Sequence, residues 1–316
     1  MSEFSEDSRV KFPTIKHLME MGYSYISFKG VKTKDGELEK TFVDPATNIL
    51  TEILKKAYFK FNPQKKEDDF NQLLSKVRNS LSNDDLGKQF YNEFLLNPDE
   101  RMIDFSSSEN FRANNTFQIA TELTCGDKSS DNFRPDITIF INGLPLAFIE
   151  VKKENNTNGI QAETDRMKVR FKNQAFRRYL NLTQIMVFSN DMEYAPENRP
   201  PVQGAYYATI GRRDTKYSTF REEGQDSFPI KIHAHNVSRI TEELMLKDNN
   251  VPQYLNFSEY KTNCNYSNTP TKRICNSLFS YERFYFLLKY GIAYADYSFG
   301  KQKHIMRYPQ LFAIKL

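Results

Sequence analysis

Three charged residues near the middle of the chain have the types and spacing needed for metal-assisted hydrolysis. Asp136 follows Pro135 at the start of one apolar run. Glu150 and Lys152 lie two positions apart in the next apolar run, so both point to the same face of a strand. Carboxylates that converge from adjacent strands can hold Mg²⁺, and a neighbouring lysine can orient water and stabilise charge on a phosphate. Ordinary charges at the two ends of a surface hairpin are the alternative, because short motifs often match by chance.

The segments around these residues predict the elements that position them. DITIFI and LAFIEV are rich in β-branched and aromatic residues, and Asn142-Gly143 between them is a strong hairpin signal. TFQIATELTC predicts a preceding strand, QAETDRMKVRFKNQAFRRYL has helical spacing, and QIMVFSN is again an apolar strand. This order predicts an α/β (α+β) fold with a mixed β-sheet flanked by helices.

The rest of the chain is predicted to be mainly helical. Four amphipathic segments precede the sheet: FPTIKHLMEMGY, PATNILTEILKKAYFKFNP, KEDDFNQLLSKVRNSL and NDDLGKQFYNEFLLNP, the last opening with the capping cluster Asn83-Asp84-Asp85. After about residue 228 the strand signals fade. SRITEELMLKD and SLFSYERFYFLLKYGIAYADY predict helices, separated by the polar loop NCNYSNTPTKR. We therefore expect a sheet domain at 1–228 and a mainly helical connector at 229–316.

The composition is that expected of a cytoplasmic protein. The 316 residues carry 44 Lys+Arg against 40 Asp+Glu, and a net charge of +4 does not by itself indicate a nucleic-acid-binding protein. No run approaches about 18 apolar residues and the amino terminus is polar, so neither a membrane span nor a secretory signal is expected. Three widely spaced cysteines predict a reduced protein without a disulfide framework or zinc knuckle.

The spacing of Asp136 and Glu150-Val151-Lys152 resembles that of the PD-(D/E)xK nucleases, which hydrolyse phosphodiesters with the help of a metal ion. Asn142-Gly143-Leu144-Pro145-Leu146 followed by FIEVKK narrows the resemblance to the R (restriction) subunit of type I restriction-modification enzymes. Further segments resemble the helices before that family's nuclease core, the strand after its catalytic helix and the connection into its motor domains. They are TEILKKAYFKF, FNQLLSKVRNSL, FYNEFLLNP, IMVFSN, LFSYERFYFLLKY and KHIMRYPQLFA, and the resemblance covers most of residues 10–316.

The resemblance implies roles for individual residues. Asp136 and Glu150 would be metal ligands, joined by the backbone carbonyl of Val151, and Lys152 would be the catalytic lysine. The implied cofactor is Mg²⁺, for which Mn²⁺ can substitute.

The resemblance also suggests three accessory residues, which would assist the site without belonging to the Asp and Glu-x-Lys motif. Many relatives add an acid from an earlier helix, for which Glu52 is the best-placed candidate, with pairing to a nearby lysine as the alternative. Relatives also often carry a Gln-x-x-x-Tyr signature after the lysine, and here Gln174 and Tyr179 are five apart. Their role is therefore either shifted or absent.

Positive charge is concentrated just after the motif. Residues 151–180 contain eight Lys or Arg and three acids, so this stretch alone carries +5. A solvated helix face usually explains such a run, but beside a nuclease motif we expect contacts to DNA phosphates. The residues concerned are Lys153, Arg166, Lys168, Arg170, Lys172, Arg177 and Arg178.

The partners implied by the resemblance are double-stranded DNA and the methylation and specificity subunits of the restriction complex, with no membrane. Sequence recognition and ATP-driven translocation would be supplied elsewhere in that complex. No GxxxxGK[ST] motif occurs here, so we expect ATP to serve only the full-length subunit. A non-catalytic DNA-binding or docking module with the same fold is the alternative. A stand-alone nuclease is a third possibility, which the ending RYPQLFA disfavours.

Overall fold

The structure is a computed structural model that describes residues 5–32, 34, 36–125, 133–152, 159–193, 205–211, 215–220, 235–266, 268–298 and 300–315. The strands are β1 (Ser24–Tyr25), β2 (Val31–Lys32), β3 (Glu37–Leu38), β4 (Phe117–Thr121), β5 (Ile137–Ile141), β6 (Leu144–Val151), β7 (Ile185–Ser189), β8 (Ala205–Gly211), β9 (Thr215–Phe220), β10 (Ile292–Tyr297) and β11 (Gly300–Ile305).

The α-helices are α1 (Phe12–Glu20), α2 (Thr51–Phe61), α3 (Glu67–Ser80), α4 (Ser108–Asn114), α5 (Gly159–Lys172), α6 (Arg177–Leu182), α7 (Arg239–Asp248), α8 (Ser258–Asn265), α9 (Pro270–Phe279), α10 (Tyr281–Tyr290) and α11 (Tyr308–Lys315). Two π-helical segments cover Asp7–Lys11 and Phe90–Leu95, and two 3-10 segments cover Gln174–Phe176 and Pro252–Asn256. None of the described helices is long and apolar enough to cross a membrane.

One mixed sheet forms the centre of the described part of the chain. Its strand order is β1-β4-β5-β6-β7-β8-β11-β10, with β9 paired to β8, while β2 and β3 form a separate two-stranded sheet. The pairs β4–β5 and β5–β6 are antiparallel, whereas β6 and β7 are parallel and are joined through α5 and α6. The predicted mixed sheet flanked by helices is confirmed.

The strands that carry the candidate site are buried on both faces. Every residue of β5, β6 and β7 is buried, so the sheet is covered on each side, as expected where a helical crossover links parallel strands. One core contains Ile139 and Ile149 together with apolar side chains of α1, α9 and α10. The other contains Phe133, Phe148 and Tyr179.

The predicted Asn142-Gly143 hairpin is confirmed between β5 and β6. Both residues have positive φ angles, 50° and 81°, which suits the tight turn that such a dipeptide favours. Asn142 accepts a hydrogen bond from the Thr116 N–H and donates one to the Met102 carbonyl. A Cβ atom at Gly143 would lie 2.6 Å from the Leu50 carbonyl oxygen, so α2 can approach the turn only because glycine is present.

Two predicted helices differ from those observed. The segment after Asn83 contains a short π-helical stretch, Phe90–Leu95, and the Asp85 carboxylate accepts the Gly87 and Gln89 N–H groups just before it. The long helix predicted after the motif is interrupted at Asn173, whose side chain accepts the Ala175 N–H and so begins a new segment.

The carboxyl-terminal segment departs most from the prediction. The segment is mainly helical, as predicted, but the expectation that strands end near residue 228 is wrong. The helix α10 ends at Tyr290 and is followed by the β10–β11 hairpin, which joins the main sheet through β8. The predicted polar loop is also largely helical. Within it the buried Lys272 donates hydrogen bonds to the carbonyls of Asn263, Cys264 and Tyr266, and so ties α8 to α9.

This segment packs against the first part of the chain. The hydroxyls of Tyr25 and Ser27 donate to the Asp248 carboxylate, and the Tyr23 hydroxyl donates to the Phe279 carbonyl. The packing therefore continues across residue 228. The division into domains at that position stays a prediction.

Candidate active site

The β5–β6 hairpin brings Asp136 and Glu150 together. Ile137 pairs with Ile149 across the hairpin, so the residue before β5 and the residue after Ile149 are neighbours. Asp136 Oδ2 also accepts a hydrogen bond of 2.9 Å from the Val151 N–H. The convergence of carboxylates expected from the sequence is present.

Glu150 is a buried carboxyl next to other carboxyls. Burial raises its pKa well above the ordinary value, and the neighbouring Asp136 and Glu163 raise it further. A hydrogen bond between the side chains of Glu150 and Asp136 contributes in the same direction, because it favours the protonated form. A divalent cation between the two carboxylates would offset this repulsion, so the electrostatics of the pair fit a metal site.

Lys152 lies beside the pair and remains charged. Its Nζ donates a hydrogen bond of 2.8 Å to the Val151 carbonyl and lies 3.9 Å from Glu6 Oε1. Burial by itself would lower its pKa, but Asp136 and Glu150 raise the pKa above the ordinary value. An ammonium next to two carboxylates can stabilise negative charge on a bound phosphate.

The residues fit a metal bound by two carboxylates and a carbonyl rather than by a larger cluster. Within the described residues, no three His, Cys, Asp or Glu side chains are arranged to hold a metal. Asp136, Glu150 and the Val151 carbonyl could supply three oxygen atoms, and water would complete the shell, as is usual for Mg²⁺.

A lysine from the amino-terminal π-helical segment also enters the site. Lys11 Nζ lies 2.7 Å from Glu122 Oε1, and 3.8 Å from both Asp7 Oδ1 and Asp136 Oδ1. Burial alone would lower the pKa of Lys11, but Asp136 and Glu122 raise it above the ordinary value. Sequence reasoning missed Lys11 and Glu122, since they are 111 residues apart and belong to no recognised motif. The unusual π-helical geometry becomes visible only in the structure.

Arg170 points inward rather than to the surface, and its expected role as a DNA contact stays a prediction. Its guanidinium turns inward, 2.6 Å from the buried Glu163 and 3.7 Å from Glu150, and it stacks over the Phe133 ring at 4.1 Å. Its side chain is 18% exposed, against 63% for Arg166 one turn earlier. The inward position follows from Glu163, because a buried carboxylate requires a partner of opposite charge.

The other predicted basic residues that the structure describes lie at or near the surface. Lys168 pairs with Asp165 at 3.2 Å, Lys172 is exposed, and Arg177 is half-buried. Arg178 is exposed and donates to the Ser82 hydroxyl. Lys153 lies outside the described residues.

The accessory residues are not drawn into the carboxylate pair. Glu52 is exposed on α2, near Lys55. Gln174 is exposed and lines a cavity of about 300 Å³ with Arg177 and Arg178. Tyr179 lies under the sheet against Phe133 and Phe148, where burial raises the pKa of its hydroxyl. Gln174 and Tyr179 therefore do not share one environment, and a role for either one or for Glu52 stays a prediction.

The central mixed sheet, with Asp136 and Glu150-Val151-Lys152 meeting at one hairpin, is that of a nuclease-like α/β protein. Comparison with known protein families identifies the family to which the chain belongs. The model of the type I restriction enzyme R protein N terminus matches residues 3–196. The chain belongs to this family. A curated relative from Methanocaldococcus jannaschii, "Putative type I restriction enzyme MjaVIIIP endonuclease subunit", is 30% identical over 96 residues. The match covers 30% of this chain and 9% of that protein.

Proposed function

We propose that the chain is the metal-dependent endonuclease part of a type I restriction enzyme R subunit, built on a PD-(D/E)xK core, and that it hydrolyses phosphodiesters of duplex DNA. The observation that carries this proposal is the meeting of Asp136, Glu150 and Lys152 at one hairpin, with a raised pKa for Glu150 that a bound cation would offset. Membership of the family supports the same function.

In this proposal two of the residues bind the metal ion and the third stabilises charge on the phosphate. A divalent cation, Mg²⁺ or Mn²⁺, would polarise the scissile phosphate and activate an attacking water. Asp136 and Glu150 would hold it with the Val151 carbonyl, and the hydrogen bond from the Val151 N–H keeps Asp136 in place. The Lys152 ammonium would face the developing charge on the phosphate, because it is held beside both carboxylates.

The duplex would lie along the exposed basic side chains of α5 and α6. Arg166, Lys168, Lys172 and Arg178 are accessible there and can contact phosphates without reading sequence. We assign recognition and methylation to separate specificity and methylation subunits, and ATP use to motor domains of the full-length subunit. The proposed location of this assembly is the cytoplasm.

Nicking of supercoiled plasmid in Mg²⁺ or Mn²⁺ tests this function. We expect nicking by the wild-type chain, a loss of at least about 100-fold in Asp136→Asn and Lys152→Met, and no change in the control Asp296→Asn. Asp296 is a suitable control because its carboxylate is exposed and pairs with Lys88 and Lys301. Activity that survives both site substitutions would reject the assignment.

The second candidate is a non-catalytic DNA-binding or docking module. The observation that favours it is the internal pairing of the acids, since Lys11 and Arg170 already neutralise part of their charge. Such a module would bind duplex DNA with equal affinity in chelator and in Mg²⁺, and Mn²⁺ would leave its melting temperature unchanged.

A further inference from the structure

A cavity of about 300 Å³ lies where the start of α6 meets the turn that follows α3. Its polar lining consists of Ser82, Gln174, Arg177 and Arg178, and the Asp136–Glu150 pair does not line it. Cavities of this size are at the lower end of those that hold small molecules or parts of larger ones. The cavity is therefore a candidate binding site separate from the candidate metal site.

The two arginines give this cavity a positive charge. Among the described residues, neither Arg177 nor Arg178 forms an ion pair, and no carboxylate lines the cavity. The carboxylate of Asp44, just before the cavity wall, is already paired with Arg78 at 3.1 Å. Two guanidinium groups beside a concave surface attract an anion, and their planar N–H groups suit phosphate oxygens.

The Arg178 guanidinium is held in place before any ligand binds. Its Nε donates a hydrogen bond of 2.9 Å to the Ser82 hydroxyl, which in turn donates to the Arg78 carbonyl at 3.1 Å. The side-chain amide of Asn181 on α6 donates to the carbonyls on both sides of Ser82, so the turn and the helix are tied together. A site with donors fixed in this way loses less conformational entropy on binding.

We infer that the cavity is a binding site for a phosphate monoester and that its ligand is the phosphorylated end of a DNA strand. A monoester carries a charge of about −1.5 to −2 near neutral pH, whereas each phosphodiester of the DNA backbone carries one negative charge. Two guanidinium groups therefore match the monoester better. The choice of DNA as the source rests on the proposed function, because hydrolysis of a phosphodiester leaves a monoester on one strand end and a hydroxyl on the other.

The rest of the lining suits the nucleoside attached to that phosphate. Pro45, Ala46 and Ala175 present apolar surface against which a sugar can pack. The side chain of Gln174 makes no hydrogen bond with other described residues, so its amide can donate to a phosphate oxygen. The cavity thus differs from the surface contacts proposed along α5 and α6, since it receives a single terminal group.

Binding of three duplexes of one sequence, measured by fluorescence anisotropy in EDTA to prevent cleavage, tests the inference. The duplexes carry a 5′-phosphate, a 3′-phosphate or no terminal phosphate. We expect one phosphorylated duplex to bind about tenfold more tightly than the unphosphorylated duplex, because its terminal charge is hydrogen-bonded by the arginines. Arg177→Gln and Arg178→Gln should each remove most of this preference, and inorganic phosphate should remove it by competition in the wild-type chain.

Lys56→Gln is the matched control. Lys56 is exposed on α2 and does not line the cavity, so its replacement removes the same charge and should keep the preference for the phosphorylated duplex. Circular dichroism establishes that each variant is folded. A preference that survives both arginine substitutions, or that is lost equally in the control, would overturn the inference.

A second measurement separates the two sources of a phosphate monoester. If the three duplexes bind equally but inorganic phosphate raises the melting temperature of the wild-type chain and not of Arg177→Gln, the site holds a free phosphate compound and the DNA end is rejected. Equal binding without that response to phosphate would overturn the site itself. These outcomes leave the proposed nuclease in place, which fails instead if plasmid nicking survives Asp136→Asn and Lys152→Met.

Discussion

Single residues at the candidate site are arranged at a cost to stability. Glu150 is buried beside Asp136 and Glu163, and its pKa is raised first by burial and then by these acids. Folding must therefore either protonate Glu150 or bury its charge. Such a position is typical of a residue selected for chemistry rather than for packing.

The first prediction concerns Glu150→Gln, which keeps the side-chain shape and removes the buried charge. We expect the metal-free protein to have a higher free energy of unfolding at neutral pH, because the neutral amide removes the buried charge that Asp136 and Glu163 repel. We also expect the variant to lose the rise in melting temperature that Mn²⁺ gives the wild-type protein. Thermal melts with and without Mn²⁺ measure both effects, with Glu93→Gln, an exposed glutamate, as the control. An unchanged melt with a retained response to Mn²⁺ would contradict the role of Glu150.

The second prediction contrasts two arginines of α5. Arg170→Met leaves the buried Glu163 without its closest partner, and we expect a loss of about 3–5 kcal/mol of unfolding free energy. Arg166→Met removes a largely exposed partner of the same carboxylate, and we expect a loss of less than about 1 kcal/mol. Urea unfolding measures both values. Adding Glu163→Gln should restore much of the stability of Arg170→Met, and equal losses for the two arginines would be inconsistent with this account.

The three residues of the candidate site could be singled out from the sequence, whereas their partners could not. Asp136, Glu150 and Lys152 lie within 17 residues of one another, and a single hairpin joins them. Lys11 and Glu122 meet only because the amino-terminal segment packs against the end of β4. Contacts between distant parts of the chain leave no pattern in a single sequence, so this part of the site required the structure.

At the scale of elements, strong local signals were predicted well and weak ones were not. The β5–β6 hairpin follows from Asn142-Gly143 and two apolar runs. The β10–β11 hairpin was missed because its strands, IAYADY and GKQKHI, are partly polar and follow a strongly helical segment. The β11 strand is stabilised by pairing with β8, about 90 residues earlier in the chain, which no local pattern indicates.

The third prediction concerns Lys303 on β11. Burial lowers the pKa of this lysine to about 7, and its Nζ donates to the Thr183 carbonyl and to Gln184 Oε1. The Lys303 amine keeps its proton up to about pH 10.5 in the unfolded chain but releases it above about pH 7 in the folded chain. The free energy of unfolding should therefore rise with pH across that interval. The expected slope is up to about 1.4 kcal/mol per pH unit.

Urea unfolding between pH 7 and pH 10 measures this slope. Lys303→Met should flatten the pH dependence, whereas the control Lys301→Met should leave it as in the wild-type protein, since Lys301 pairs with Asp296 at the surface. If Lys303→Met and the wild-type protein show the same slope, then Lys303 is not the titrating group.

At the scale of the whole molecule, the carboxyl-terminal segment is joined by hydrogen bonds to the strand end beside the candidate site. The Ser189 carbonyl accepts the Lys152 N–H, and the Ser189 hydroxyl is hydrogen-bonded to Thr271 of α9. Two hydrogen bonds, through Ser189, therefore link Lys152 to α9 in the carboxyl-terminal segment. Packing of this kind holds the end of β7 in a fixed position next to Lys152.

The fourth prediction concerns duplex DNA and the exposed basic side chains of α5 and α6. Replacing Arg166, Lys168, Lys172 and Arg178 with glutamine should weaken binding of any duplex sequence. The slope of the logarithm of the binding constant against the logarithm of the salt concentration should become less steep by about 0.9 for each phosphate contact that is lost. Fluorescence anisotropy at several salt concentrations measures this slope. The matched control replaces the same number of lysines on α2 and α3, namely Lys55, Lys56, Lys60 and Lys76. If the slope falls equally in both sets of variants, the DNA does not bind along α5 and α6.

The central claim is that Asp136, Glu150 and the Val151 carbonyl hold one divalent cation beside Lys152. A crystal soaked in Mn²⁺ and measured at the manganese absorption edge tests it most directly. We predict one anomalous peak, at bonding distance from oxygens of Asp136 and Glu150 and absent in a crystal of Asp136→Asn. A crystal without a peak between these carboxylates, or with manganese bound only elsewhere, would contradict the account.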